Sequence, residues 1–167
     1  MLVISNHLLG KVPVPKDSII RVNLAWYSSV EAARQALDEI NRDVYLDYPR
    51  GRTKPPKPGI TLYEAIELAN EYKVRYFAVS NVEVPKFIKE ILARLETAEF
   101  VPKIETALGV ENIRAIIATG VKTLMLDKED LYVDVDMDAW AYEKLVDSVR
   151  QQTNNVTLLE LQGVVFA

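Results

Sequence analysis

Lys103 and Glu105 stand two residues apart at the end of one apolar run, and Asp127, Glu129 and Asp130 follow the end of another. Alternate residues of a strand share a face, so Lys103 and Glu105 leave the first run on the same side. In parallel α/β sheets ligands bind outside the carboxyl ends of the strands, where these five charged groups can converge on one crevice. The chain has no cysteine and a single histidine, His7, which excludes thiolate chemistry and a multi-histidine metal centre. A metal bound here must be held by oxygen. Spacing alone leaves two readings open: carboxylates gathered around a cation, or Glu105 capping the next helix and Asp130 as a solvated turn residue. Lys103 has its own structural reading, an ion pair with Glu105 or Asp127.

The elements that must carry these residues are legible as alternating strands and helices. Phe100 to Ile104 and Val121 to Leu126 are too short for helices and read as buried parallel strands. Val110, Ile113 and Ile117 recur between them at helical spacing. Upstream, Met1 to Ser5 reads as a short strand, and Ile19 to Trp26 as the first strong one, with Arg21 and Asn23 on one face. Ser28 and Glu31 form a capping box ahead of a stripe of Val30, Ala33, Leu37 and Ile40. Val44 to Tyr48 is a strand with Asp47 near its end. Thr61 and Glu64 make a second capping box, before Leu62, Ala65, Ile66 and Ala69. Arg75 to Val79 is the next strand, ending in Ser80 and Asn81. Pro85 opens a helix with Phe87, Ile88, Ile91, Leu92 and Leu95. After the central unit come a helix with Tyr142, Leu145, Val146 and Val149, a turn at Thr153 to Asn155, and a last strand from Val156 to about Phe166.

This alternation predicts a parallel sheet. At 167 residues and 49% hydrophobic content the chain reads as a single domain over 1–167, with no repeat or low-complexity segment. Six strands are clear and Met1 to Ser5 adds a seventh, whereas a closed eight-fold barrel takes about 250 residues. The expected fold class is therefore α/β, a minimal or incomplete (β/α) TIM-type barrel with parallel strands. A net charge of −4 gives no reason to expect nucleic acid or an anionic membrane as partner. No run reaches the roughly eighteen apolar residues of a membrane span, and MLVISNHLLG lacks the features of a signal peptide, so a cytoplasmic protein is expected.

PKIETALGVENI followed by LMLDKEDLYVD resembles the barrel of the pyruvate and phosphoenolpyruvate enzymes. The pattern IET-x-x-GV-x-N, with a later hydrophobic strand and ED-L-x-x-D, resembles the citrate lyase β subunit and related metal-dependent 2-oxo-acid aldolases. Lys103, two before Glu105, resembles pyruvate kinase instead. So do Arg21-Val22-Asn23 and Leu46-Asp47 with the basic loop after it. The resemblance covers roughly Ile19 to Phe166. It implies a carboxylate pair, Glu105 and Asp130, holding one Mg²⁺ (or Mn²⁺), which chelates the carboxylate and adjacent oxygen of a small 2-oxo acid. A cation there stabilises an enolate when the neighbouring bond breaks.

By the same resemblance, Lys103 is a donor to the substrate oxygen, and Lys103→Met is expected to lower turnover with little change in stability. Arg21 is suited to a substrate carboxylate or phosphate, with a salt bridge to Asp47 as the structural alternative. Asn23 and Asp47 match positions that bind a monovalent cation in pyruvate kinase, but Ala25 stands where a hydroxyl is expected. Glu129 and Asp130 are expected to be substrate-binding, and the aldolase branch often has a small residue where Lys128 stands, beside the backbone amides that bind the substrate carboxylate. The loop Arg50 to Gly59, with four positive charges and three prolines, occupies the place of the pyruvate kinase lid, which argues against ADP phosphorylation. Its basic residues suit a phosphate or a coenzyme A nucleotide, or form a solvated connector.

The reading this supports is a Mg²⁺-dependent lyase or aldolase-like enzyme, acting through a metal-bound enolate on a small 2-oxo acid or its acyl-CoA adduct. The rival is a non-catalytic binding or assembly protein that retains a pyruvate-kinase-like barrel. With six or seven strands, an exposed edge such as Val156 to Phe166 calls for cover, so a homo-oligomer is expected.

Overall fold

The structure, a computed structural model, describes residues 2–52 and 55–161. The chain falls into two compact units: the described residues of Met1–Val79 with Arg94–Glu99, and those of Ser80–Ala93 with Phe100–Ala167. Among the described residues there are seven strands, parallel wherever their pairing is recorded and following one another in chain order. Sequential parallel strands with helical crossovers are the winding of a (β/α) barrel, and seven strands make it an incomplete one. No helix among the described residues is long and apolar enough to cross a membrane.

The first unit is built on β1 (Val3–Ser5), β2 (Ile19–Asn23), β3 (Val44–Tyr48) and β4 (Tyr76–Val79). Ile20, Val22, Tyr45, Leu46 and Phe77 are fully buried. Such strands, covered on both faces, read as continuous apolar runs. The expected strand Ile19 to Trp26 stops at Asn23 because the Asn23 side chain accepts the Ala25 N–H at 3.0 Å and turns Leu24–Trp26 into a 3-10 segment. The first helix, α1 (Val30–Asp38), is capped one residue later than Ser28. Ser29 accepts the Ala32 N–H, and Ile40 lies beyond the helix end. The second, α2 (Leu62–Glu71), has the expected reciprocal capping box of Thr61 and Glu64.

In the second unit α3 (Pro85–Leu92) begins on its proline as expected and ends before Leu95. The strands β5 (Glu99–Ile104), β6 (Thr123–Asp127) and β7 (Thr157–Leu161) form its ladder, with Ile104 opposite Leu126 and Asp127 opposite Leu161. The remainder of the expected last strand lies outside the described residues. Between β5 and β6 run two short helices, α4 (Ala107–Glu111) and α5 (Ile113–Ile117). They bury Val110, Ile113 and Ile116, so Ile116 rather than Ile117 faces the core. An unexpected helix, α6 (Lys128–Asp134), follows β6 directly, and α7 (Ala139–Gln152) carries the expected Val146 and Val149 stripe.

Candidate active site

The β5–β6 register explains why Glu105 and Asp127 meet. Ile104 is level with Leu126, so one residue further on Glu105 is level with Asp127. Asp127 is the last residue of β6 and also the N-cap of α6, where its carboxylate accepts the Asp130 N–H at 3.3 Å. Capping folds the chain back within one turn and brings Asp130 to the strand end. Glu105, Asp127 and Asp130 thereby form a cluster in which one carboxylate oxygen from each lies within 4.8 Å of the others. Glu105 and Asp127 are buried and Asp130 is exposed, so the cluster has one open side.

Lys103 belongs to the same cluster. Only 3% exposed, it places Nζ 2.7 Å from Glu105 Oε1 and 3.4 Å from Asp127 Oδ2, and it donates to Ser80 Oγ at 3.3 Å. The two structural pairings left open by the sequence are thus both made. Two carboxylates and a hydroxyl surround the ammonium, and a substrate oxygen would have to compete with them. Three carboxylates against one ammonium leave a balance of two negative charges when all are ionised.

Glu105 does not cap α4. That role falls to Thr106, whose hydroxyl accepts the Gly109 N–H. Instead Glu105 Oε2 accepts the Asn81 N–H at 2.8 Å. Asn81 has φ +53°, a left-handed conformation that asparagine tolerates better than most residues, and this aims its amide at the carboxylate. Burial pushes the Glu105 pKa up, Lys103 pulls it back, the neighbouring Asp127 raises it again, and the Asn81 amide lowers it; the net direction is upward. Glu105 Oε1 receives no aligned hydrogen bond and has only the ion pair with Lys103.

The rest of the central motif holds this arrangement in place. Thr106 donates to Glu83 Oε1, Asn112 donates to the Glu83 carbonyl, and Asp134 accepts the Ala107 N–H at 2.7 Å. A Cβ on Gly109 would stand 3.1 Å from the Val82 carbonyl oxygen, so the small residue lets α4 approach the loop after β4. Of the residues in IET-x-x-GV-x-N, most therefore perform packing and capping work, and Glu105 alone presents a charged oxygen to the cluster.

Several expectations fall elsewhere. Glu129 is exposed in the first turn of α6 and is not one of the clustered carboxylates. The Asp130 amide is already engaged by Asp127. Lys128 turns its ammonium to Glu160 on β7, at 2.5 Å. Within the first unit, Arg21 donates through Nε and Nη2 to Asp47 Oδ2, with Asp47 1% exposed, which is the structural alternative for that pair. Asn23 caps the 3-10 segment. In the basic loop, Arg52 Nε donates to the Pro56 carbonyl at 2.8 Å, closing the loop on itself.

Sequence reasoning placed Asp127 in the crevice but left it out of the metal pair, and it missed Ser80 and Asn81 as neighbours of the cluster. The strand end at Ser80-Asn81 was the available signal. The donor set is three oxygen ligands with no nitrogen or sulfur, balanced to a charge of minus two, and it fits a hard divalent cation such as Mg²⁺ or Mn²⁺.

No protein-family model matches the chain, and no curated protein matches it. Solved structures do. An HpcH/HpaI aldolase/citrate lyase family protein from Burkholderia cenocepacia J2315 superposes with a TM-score of 0.68 at 14% identity, over 97% of this chain and 79% of that one. Malate synthase from Haloferax volcanii, in a lead(II) complex, gives 0.57 at 10% identity, over 93% and 55%. Macrophomate synthase gives 0.56 at 15% identity, over 86% and 62%. The likeness is one of fold: the chain shares the fold of these aldolase/citrate lyase, malate synthase and macrophomate synthase structures.

Proposed function

We propose that this chain is a divalent-metal-dependent lyase or aldolase-like enzyme that acts on a small 2-oxo acid or its acyl-CoA adduct through an enolate. The observation that carries the reading is the gathering of Glu105, Asp127 and Asp130 beside Lys103 at adjacent strand ends, in a fold shared with aldolase/citrate lyase structures. Glu105, Asp127 and Asp130 would hold the ion, which supplies a positive charge for oxygen atoms that become negative in the reaction. Lys103 adds a second positive charge and a proton donor at the same place. The Asn81 amide holds Glu105 in position, and the α6 cap holds Asp127. Burial of Lys103, Glu105 and Asp127 excludes water from one side of the cluster, which strengthens each charge interaction there.

The test is deuterium exchange into the methyl group of pyruvate, followed by NMR with and without Mg²⁺, since enolisation is detectable without the native substrate. Metal-dependent exchange is the expected result, and its absence with metal bound sinks the enolate reading. Glu105→Gln and Asp130→Asn should each abolish Mn²⁺ binding in calorimetry while the fold survives. Equal affinity in the parent and both variants would remove the two residues from the site.

A second reading has its own support. Lys103 already pairs with Glu105 and Asp127, so the cluster also reads as a buried ion network in a non-catalytic protein. A folded protein that binds neither divalent metal nor pyruvate, oxalate or oxaloacetate would favour it.

A further inference from the structure

The carboxylates that suit a divalent ion already hold a cation belonging to the chain. Lys103 Nζ contacts two of the three clustered carboxylates, Glu105 at 2.7 Å and Asp127 at 3.4 Å. An ion drawn to those same carboxylates lies within a few ångströms of the ammonium, in a buried region where screening by water is weak. Two cations cannot both take the full attraction of the same oxygens. We propose that Lys103 is an internal counter-cation that competes with the divalent ion for Glu105 and Asp127, so that metal binding displaces its ammonium and metal affinity is set by this lysine. The inference rests on the metal-dependent reading above.

Three features support it. Nearly all of Lys103 is buried, so moving its charge to solvent requires rearrangement, whereas exchange to a neighbouring acceptor does not. Ser80 Oγ offers an acceptor that is not a metal-competent carboxylate and can retain the ammonium after the exchange. Glu105 Oε1, the carboxylate oxygen closest to Nζ, has no aligned hydrogen bond of its own, and so loses only the lysine when a metal takes it. In this arrangement the ammonium offsets the repulsion between two buried carboxylates until a divalent ion arrives. Once displaced, it carries a proton that a substrate oxygen can accept as a hydrogen bond.

The proposal predicts that removing the lysine tightens metal binding, the reverse of what loss of a supporting residue would do. Mn²⁺ binding is measured by the free-ion electron paramagnetic resonance signal, in mildly alkaline buffer, for the parent, Lys103→Met and Lys103→Gln. The expected change is an affinity increase of about tenfold or more in both variants, from loss of one positive charge a few ångströms away. Binding seen only in the variants is the extreme form of the same result. Parent binding that stays equal or weakens in both variants overturns the proposal and leaves the metal site standing. No binding in any of the three sinks the metal reading and this inference with it. If neither variant folds, the unaltered protein decides, because the buried Lys103 ammonium should give a slowly exchanging ¹⁵N-correlated NMR signal. Mg²⁺ at saturation should shift or abolish that signal, and an unchanged signal overturns the proposal.

Discussion

Replacing Lys103 with methionine tests whether the cluster is a mutually dependent charge network. The ammonium is 3% exposed and faces Glu105 at 2.7 Å, Asp127 at 3.4 Å and Ser80 at 3.3 Å. Removing one partner from a buried ion network costs about 3–5 kcal/mol, chiefly because the remaining charges are left uncompensated. Glu105 can relieve part of that cost. Its pKa is raised by burial, with Lys103 the first influence pulling it down, so without the lysine it takes up a proton more readily. The expected loss near neutral pH is therefore about 3 kcal/mol, which for a chain of this length corresponds to a melting temperature lower by about 6–12 °C. This reverses the expectation from sequence that the substitution would leave stability nearly unchanged.

The pH dependence has a definite sign. A carboxyl whose pKa is raised on folding contributes stability that is present below its unfolded value and is lost as pH rises through the folded value. In the variant that folded value is higher still. Stability then keeps falling with pH after the parent has levelled, by at most about 1.4 kcal/mol per pH unit. Urea unfolding of both proteins across mildly acid to mildly alkaline buffers measures the difference, which should widen as pH rises. The double variant Lys103→Met/Glu105→Gln should recover about half of the loss and most of the pH dependence. A loss under about 1 kcal/mol that does not change with pH would show that the network carries no such coupling.

Three further outcomes follow from other parts of the molecule. Gly59→Ala should destabilise by about 3 kcal/mol or more in chemical unfolding, because the added Cβ would stand 2.1 Å from the Ser28 carbonyl oxygen, a backbone atom with little room to move. Glu160, held by Arg150 and Lys128, should titrate at about 2 in carboxyl NMR and move upward in Lys128→Met. Because that pKa is depressed, its stabilising contribution is present above the ordinary carboxylate range and is lost as pH falls toward about 2; solvent screening keeps it under about 1 kcal/mol. Light scattering at micromolar concentration should show a homo-oligomer, a proposal supported by the exposed apolar side chains Val133, Met137 and Trp140; a strictly monomeric species would refute it.

Much of the fold was determined by local pattern. Short strand-forming runs such as Val44 to Tyr48, the Thr61–Glu64 capping box and Pro85 at a helix start each act within a few residues, and the structure reproduces them. Local competition was harder to see. Asn23 ends β2 three residues early by capping a 3-10 segment, and Ser29 rather than its neighbour Ser28 caps α1, because each outcome depends on which of several short polar side chains reaches an amide. For the site, the sequence alone determined the charged residues at two strand ends and their motif. Strand register and a helix cap then decided which of them meet: Glu105 stands level with Asp127 only because Ile104 pairs with Leu126, and Asp130 joins them only because Asp127 caps α6. The part played by Asn81, 24 residues before Glu105, and the meeting of Lys103 with Ser80, Glu105 and Asp127 were set by tertiary structure. A linear sequence records which groups carry charge, whereas the partner of a buried charge is chosen by the distances and desolvation that exist only after the strands have aligned.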